Sequence, residues 1–132
     1  MKKKNYLLDT HVLFSWAEKE GISLDFIAFL NRQGKKGNVL FSSVSIWEIA
    51  LLKKKERIEV SDLHRWNNDI LNHSPAKMIG PTASDMIEST LLPDYHKDPF
   101  DRLLIAQAMS NNAFLVTRDK TISRYTIETF WM

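Results

Sequence analysis

The sequence predicts an α/β domain built on a short parallel sheet with helices on both faces. Three observations carry that expectation. Tyr6-Leu7-Leu8, Val39-Leu40-Phe41 and Phe114-Leu115-Val116 are short, nearly all-apolar runs, the signature of strands buried on both faces. Longer segments with apolar residues at helical spacing separate them, as crossover connections between parallel strands require. Asp9 and Asp119 fall just past two of the strand ends, where ligands bind in such sheets.

Taken in order, Tyr6-Leu7-Leu8 is the first strand, and Asp9-Thr10 caps a helix carrying Val12, Leu13, Trp16 and Ala17 on one stripe. Ser23 caps a second helix through Phe26, Ile27 and Leu30, which Gly34 to Gly37 brings to an end. Val39-Leu40-Phe41 is the second strand and stops at Ser42-Ser43. The helix after it runs to about Lys55, and Lys53-Lys54-Lys55 suits the negative end of its dipole. Ser61 opens an amphipathic segment with Leu63, Trp66, Ile70 and Leu71. Thr82 and Asp85 form a capping box ahead of Met86, Ile87 and Leu91. Asp98-Pro99 reads as an N-cap with proline in the first turn of a helix bearing Leu104, Ile105, Ala108 and Met109, ended by Asn111-Asn112. Phe114-Leu115-Val116 is the third strand, and Ile127 to Trp131 forms a last, edge-like one.

The 132 residues suit one domain spanning 1–132, with no repeat and no interior linker. With 44% hydrophobic and 26% charged residues, the chain can bury enough apolar surface to offset chain entropy, which excludes wholesale disorder. The absence of cysteine excludes disulfide scaffolds, thiol catalysis and Cys-ligated zinc, and fits a reducing, cytoplasmic setting. No apolar stretch is long enough for a membrane helix, and the basic start Met1-Lys2-Lys3-Lys4 leads into an apolar run that Asp9 cuts short, unlike a signal peptide.

Four acids are poorly explained as ordinary surface residues. Glu48 adjoins Trp47 and Leu51 and lies one turn from Val44 and Leu52; Asp101 shares the stripe of Leu104, Ile105 and Ala108; Asp9 and Asp119 stand at strand ends. Each has a local alternative: a Ser45-x-x-Glu48 capping box, a helix-dipole role for Asp101, turns or caps for Asp9 and Asp119. Asp98 is sufficiently explained as an N-cap. Together, however, the four would make a hard, oxygen-only site of the kind Mg²⁺ or Mn²⁺ prefers. Two unit negative charges about 6 Å apart repel by roughly 3 kcal/mol at an effective dielectric of about 20, so such a cluster calls for a cation.

Tyr6-Leu7-Leu8-Asp9-Thr10-His11, Ser45-Ile46-Trp47-Glu48-Ile49-Ala50, Asp98-Pro99-Phe100-Asp101-Arg102-Leu103-Leu104-Ile105-Ala106-Gln107-Ala108 and Leu115-Val116-Thr117-Arg118-Asp119 resemble, in order, the motifs of the PIN-domain family. Within it the chain looks most like VapC-type toxin ribonucleases of prokaryotic toxin–antitoxin pairs. The resemblance implies a three-layer α/β/α domain whose Asp9, Glu48, Asp101 and Asp119 hold Mg²⁺ or Mn²⁺ and hydrolyse RNA with a metal-activated water. It places Thr10, Thr117 and Asp98 near the metal, and it implies a homodimer inhibited by a small cognate antitoxin.

An RNA strand nearing four carboxylates needs flanking cations, and Arg102 and Arg118 adjoin two of the motifs, with Lys53, Lys54, Lys55 and Lys97 as further candidates. His11, His64, His73 and His96 show no metal-ligand spacing and read as surface or packing residues. Trp16, Trp47 and Trp66 fit core stripes or an interface better than base stacking. Two alternatives stand beside the nuclease: a catalytically silent RNA- or partner-binding module of the same fold, and a receiver-like signalling domain. The phosphate-binding G-x-x-x-x-G-K loop is absent. Setting the four acids aside leaves 18 basic against 12 acidic residues, a basic shell around an acidic centre.

Overall fold

In the computed structural model, which describes residues 4–132, the apolar runs pair side by side. Strand β1 (Asn5–Leu8) takes the middle of a five-stranded, all-parallel sheet. On one side of it lie β2 (Val39–Ser42) and β3 (Lys77–Ile79); on the other lie β4 (Ala113–Val116) and β5 (Thr129–Phe130), giving the order β3-β2-β1-β4-β5. Leu8 is in register with Phe41 and with Val116, so Asp9, Ser42 and Thr117 stand side by side at the carboxyl edge of the sheet. That order separates the chain from the receiver-like alternative, whose doubly wound sheet runs 2-1-3-4-5.

Among the described residues, six α-helices cover the sheet. Helix α1 (Thr10–Glu18) is capped by the Asp9 carboxylate, which accepts from the Val12 N–H at 2.8 Å, and α2 (Leu24–Lys35) is capped by Ser23. Helix α3 (Ser43–Lys54) starts at a Ser42 cap, so the Ser45–Glu48 capping box does not form and Glu48 is free for another role. Helix α4 (Leu63–His73) is capped by Asp62, one residue past the expected Ser61. Helix α5 (Ala83–Leu91) carries the expected Thr82–Asp85 capping box, and α6 (Pro99–Ser110) starts on Asp98 with proline in its first turn.

The apolar stripes meet on both sheet faces. One core gathers Leu8, Val12, Leu13, Trp16, Phe26, Leu30, Phe41 and Ile49; the other gathers Leu7, Leu40, Leu104, Ile105, Ala108 and Leu115. Burying each such side chain contributes about 1.5–3 kcal/mol, and this double burial is why the central strands carry the near-continuous apolar runs Tyr6-Leu7-Leu8, Val39-Leu40-Phe41 and Ala113-Phe114-Leu115-Val116. Gly34, inside α2, lies against Pro75 with no room for a Cβ, which lets the chain entering β3 pass close to the helix.

The sequence expectation omits β3, because at the sheet edge Lys77 and Met78 are exposed and the segment lacks a buried apolar run. Of the two places open to Trp47, a core stripe or an interface, the core is excluded, since the side chain is 61% exposed. The basic residues before Lys4 lie outside the described residues.

Candidate metal centre

The sheet's carboxyl edge brings Asp9, Asp101 and Asp119 to one cleft, while Glu48 lines the neighbouring groove with Asp98. Asp9 ends β1 and is buried; its N–H donates to the Val116 carbonyl of the neighbouring strand, tying the two strand ends together. Asp119 follows β4 by one tight turn, in which its N–H donates to Thr117 Oγ1 and its Oδ1 accepts from the Thr121 N–H. Asp101 comes from the first turn of α6 and Glu48 from the second turn of α3, which packs against both α1 and α6. Asp9, Asp101 and Asp119 line one cleft of about 340 Å³ with Thr117, Arg118 and Trp131.

The charges crowd one another. Burial, reinforced by Asp98 and opposed by His96, raises the Asp101 carboxyl to about 7, with Glu48 and Asp9 adding further repulsion. Burial likewise lifts Asp9 above the usual carboxylate range, against the stabilising pull of the Thr117 hydroxyl, the Val12 N–H, His11 and Arg118. Asp101 senses Glu48 and Asp9, Asp119 meets Asp101 across the His96 ring, and ligand atoms of His96, Asp101 and Asp119 lie within 4.8 Å of one another. Carboxylate oxygens thus dominate the donor set, as a hard divalent cation prefers. The chemistry of the residues present therefore fits Mg²⁺ or Mn²⁺.

Hydroxyls set the outer positions. Thr10 Oγ1 donates to Glu48 Oε1 and lies 2.9 Å from Ser45 Oγ. A hydroxyl has one proton, so Ser45 is the donor to Thr10 and the chain Ser45–Thr10–Glu48 runs in one direction. Thr117 serves Asp9 and the Asp119 turn. Asp98 caps α6, its Oδ1 accepting from the Phe100 N–H at 2.9 Å, and its charge is felt by Asp101.

His96 is the residue the sequence did not mark. Its Nε2 lies 3.1 Å from Asp101 Oδ2 and 3.0 Å from Asp119 Oδ2, while its Nδ1 accepts the Asp98 N–H at 3.1 Å. Accepting at Nδ1 leaves the ring proton on Nε2, shared between the two carboxylates. The only signal was its position two residues before the α6 cap. His11 lines the cleft, whereas His64 and His73 sit exposed on α4.

The two arginines part company. Arg118 lies in the cleft with its guanidinium over the Trp131 ring, 4.7 Å from the centroid, and donates to the Gly21 carbonyl. Arg102 instead turns back and donates to the carbonyls of Leu92, Pro93 and His96, with a longer contact to Asp94. Its expected role as an RNA-binding cation is corrected: its side chain is only 12% exposed and its fork is filled by the backbone before α6.

The model of the PIN domain matches residues 6–128. The chain belongs to the PIN-domain family. As a PIN domain it is 29% identical over 119 residues to Ribonuclease VapC22 of Mycobacterium tuberculosis, a match covering 88% of each chain. Its fold is shared by a chain of the crystal structure of DNA-bound VapBC from Salmonella typhimurium, with a TM-score of 0.69, 15% identity and 98% of both chains covered. It is shared too by a chain of VapBC2 from Rickettsia felis bound to a promoter DNA fragment, with a TM-score of 0.68, 19% identity, and 96% of this chain and 97% of that one covered. The three-layer arrangement around a parallel sheet is thus that of the PIN fold. No helix among the described residues is long and apolar enough to cross a membrane.

Proposed function

We propose that this PIN domain is a metal-dependent endoribonuclease, the toxin of a type II toxin–antitoxin pair, acting as one catalytic domain on RNA in the cytoplasm. The observation that carries this reading is the convergence of Asp9, Asp101 and Asp119 on one cleft, with Glu48 close enough to raise Asp101. Its likeness to Ribonuclease VapC22 supports RNA as the substrate, and its likeness to chains of VapBC complexes supports a cognate antitoxin as partner, with a homodimer as the working assembly.

Asp9, Glu48, Asp101 and Asp119 would hold Mg²⁺ or Mn²⁺. Such an ion, when bound, supplies Lewis-acid chemistry: it activates a water and neutralises charge building on the scissile phosphate. The chain's own residues do the rest. Thr10 fixes the Glu48 carboxylate, Thr117 holds Asp9, and Asp98 anchors the helix end from which Asp101 projects. Arg118, held by Trp131 and Gly21 beside the acids, would draw the RNA backbone into the cleft. His96 keeps a proton at Nε2 against Asp101 and Asp119 and so moderates their repulsion.

The test is cleavage of RNA by the purified chain with Mn²⁺. Asp9→Asn, Asp101→Asn and Asp119→Asn should each abolish cleavage while leaving the folded spectrum intact, and EDTA should do the same to the parent. Full activity in two of the three variants, or in EDTA, would sink the proposal. Binding of RNA without cleavage by the parent would favour a silent RNA-binding module.

A further inference from the structure

Trp47 is out of place for a core residue. Helix α3 is apolar on most of its circumference, yet its largest side chain is 61% exposed. It touches Phe100 of α6 in an edge-to-face contact, with ring centroids 5.0 Å apart and planes at 68°. Trp47 immediately precedes Glu48 and Phe100 immediately precedes Asp101, so the pair stands at the rim of the acidic centre.

Phe100 also lines a second groove, about 270 Å³. Its walls combine the carboxylates of Glu48 and Asp98, the apolar Leu51, Pro99 and Phe100, and the Lys55 ammonium. Glu48 and Lys55 are two turns apart on the same helix segment, about 10 Å. The cleft holding Arg118 and this groove holding Lys55 both contain carboxylates of the cluster, so each pairs an acid with a cation able to take a phosphate.

We propose that Trp47, braced edge-to-face by Phe100, is a stacking platform for one unpaired base of single-stranded RNA, with Lys55 taking a neighbouring phosphate. The proposal rests on the ribonuclease reading and adds to it a site for the substrate. Single strands are held by this combination of aromatic faces and cations, and every base offers a π-face, so the platform selects for unpaired RNA rather than for one base. The Phe100 contact orders the indole before binding, which lowers the entropic cost of stacking on it. A protein partner is less well matched: an apolar side chain seated there would cover the Lys55 ammonium without offering it the anion that a phosphate supplies.

The experiment measures binding of a short, unstructured oligoribonucleotide to the full chain in the Asp119→Asn background, which prevents cleavage. Adding Trp47→Ala should raise Kd by roughly 5- to 150-fold, the equivalent of the ~1–3 kcal/mol that one base–aromatic stack is worth, while Trp47→Phe should keep most of the affinity. An oligonucleotide with an abasic site at the stacked position should lose affinity for the parent but no more for Trp47→Ala. Lys55→Gln should lower the slope of log Kd against log salt by about 0.7. Unchanged affinity in Trp47→Ala would overturn the proposal. So would a loss of affinity that coincides with a change from dimer to monomer in sedimentation, since that would make the platform a contact between copies. The nuclease reading is judged separately, by cleavage in the unmodified chain with Mn²⁺.

Discussion

Thr10 occupies the first position of α1 with its backbone and orients Glu48 with its side chain, so one residue links the end of β1 to the acid on α3. Its hydroxyl is buried and receives a proton from Ser45 while donating its own, which leaves the Glu48 carboxylate in one orientation. Thr10→Val keeps the shape and removes both bonds. It should weaken Mn²⁺ binding by about 10–100-fold, the usual cost of freeing a ligand from its supporting hydrogen bond, as read by calorimetric titration; parental affinity would show that Glu48 needs no such support. Asp101 illustrates the opposite case, a residue whose present chemistry works against folding. Its carboxyl is raised to about 7 by burial and by neighbouring acids. Asp101→Asn removes that charge, so at pH 8 in chelator the variant should melt higher than the parent and yet gain nothing from Mn²⁺. A variant that melts lower in chelator would mean the acid is stabilising without an ion.

The segment between α5 and α6 shows how a loop without periodicity can be as ordered as a helix. Arg102 reaches back from α6 to three carbonyls of this loop, and Tyr125 Oη both donates to the Pro93 carbonyl and accepts the His96 N–H. These bonds carry His96 to Asp101 and Asp119. Arg102→Ala should therefore lower stability by about 2 kcal/mol, since hydrogen bonds to charged groups are worth roughly 1.5–3 kcal/mol, and should reduce cleavage by misplacing His96. It should leave the salt dependence of RNA binding as it was, whereas Arg118→Ala should lower that slope by about 0.7; the reverse pattern would restore Arg102 as the RNA contact. Elements whose ends carry local chemistry were legible in the sequence: Asp9, Ser23, Thr82 and Asp98 cap the helices expected of them. β3 and the two-residue β5 were not, or only loosely, because edge strands bury too little to write a clear apolar pattern. The same logic applies to the site. Asp9, Asp101 and Asp119 stand out because acids against apolar runs are anomalous, while His96 is set by long-range bonds from Arg102 and Tyr125 that no local pattern announces. For Trp47 the sequence leaves core and interface open, because α3 is apolar nearly all round, which hides the one aromatic that faces out.

At the scale of the whole molecule, the parallel sheet concentrates negative charge at one edge, and folding must bring that charge together. Below pH 7 part of the cost is relieved by protons. Asp101 has a folded pKa of about 7 against 3.8 when unperturbed, so between those values the folded chain holds a proton the unfolded chain has released. The slope of stability against pH is then negative: this contribution falls as pH rises from about 4 to about 7 and stays lost above it. Asp85 has the opposite sign. Burial would raise it, but the Thr82 N–H and the Ser110 and Thr82 hydroxyls outweigh burial and hold its carboxyl below the usual range, so its contribution is present near neutrality and lost as pH falls below the carboxylate range. Between them, the metal-free protein should be most stable in mild acid. A divalent cation competes with the Asp101 proton, so Mn²⁺ should stabilise little at pH 5.5 and strongly at pH 8. At a free concentration of one hundred times Kd the gain is about 2.7 kcal/mol, or ~10 °C in Tm for a domain of this size. Thermal melts across pH in EDTA and in Mn²⁺ measure this directly. The expected result is a pair of curves that meet in acid and diverge above neutrality, with the divergence abolished in Asp101→Asn. Curves separated by the same interval at pH 5.5 and pH 8 would place the ion away from Asp101 and break the link between this acid's burial and metal binding.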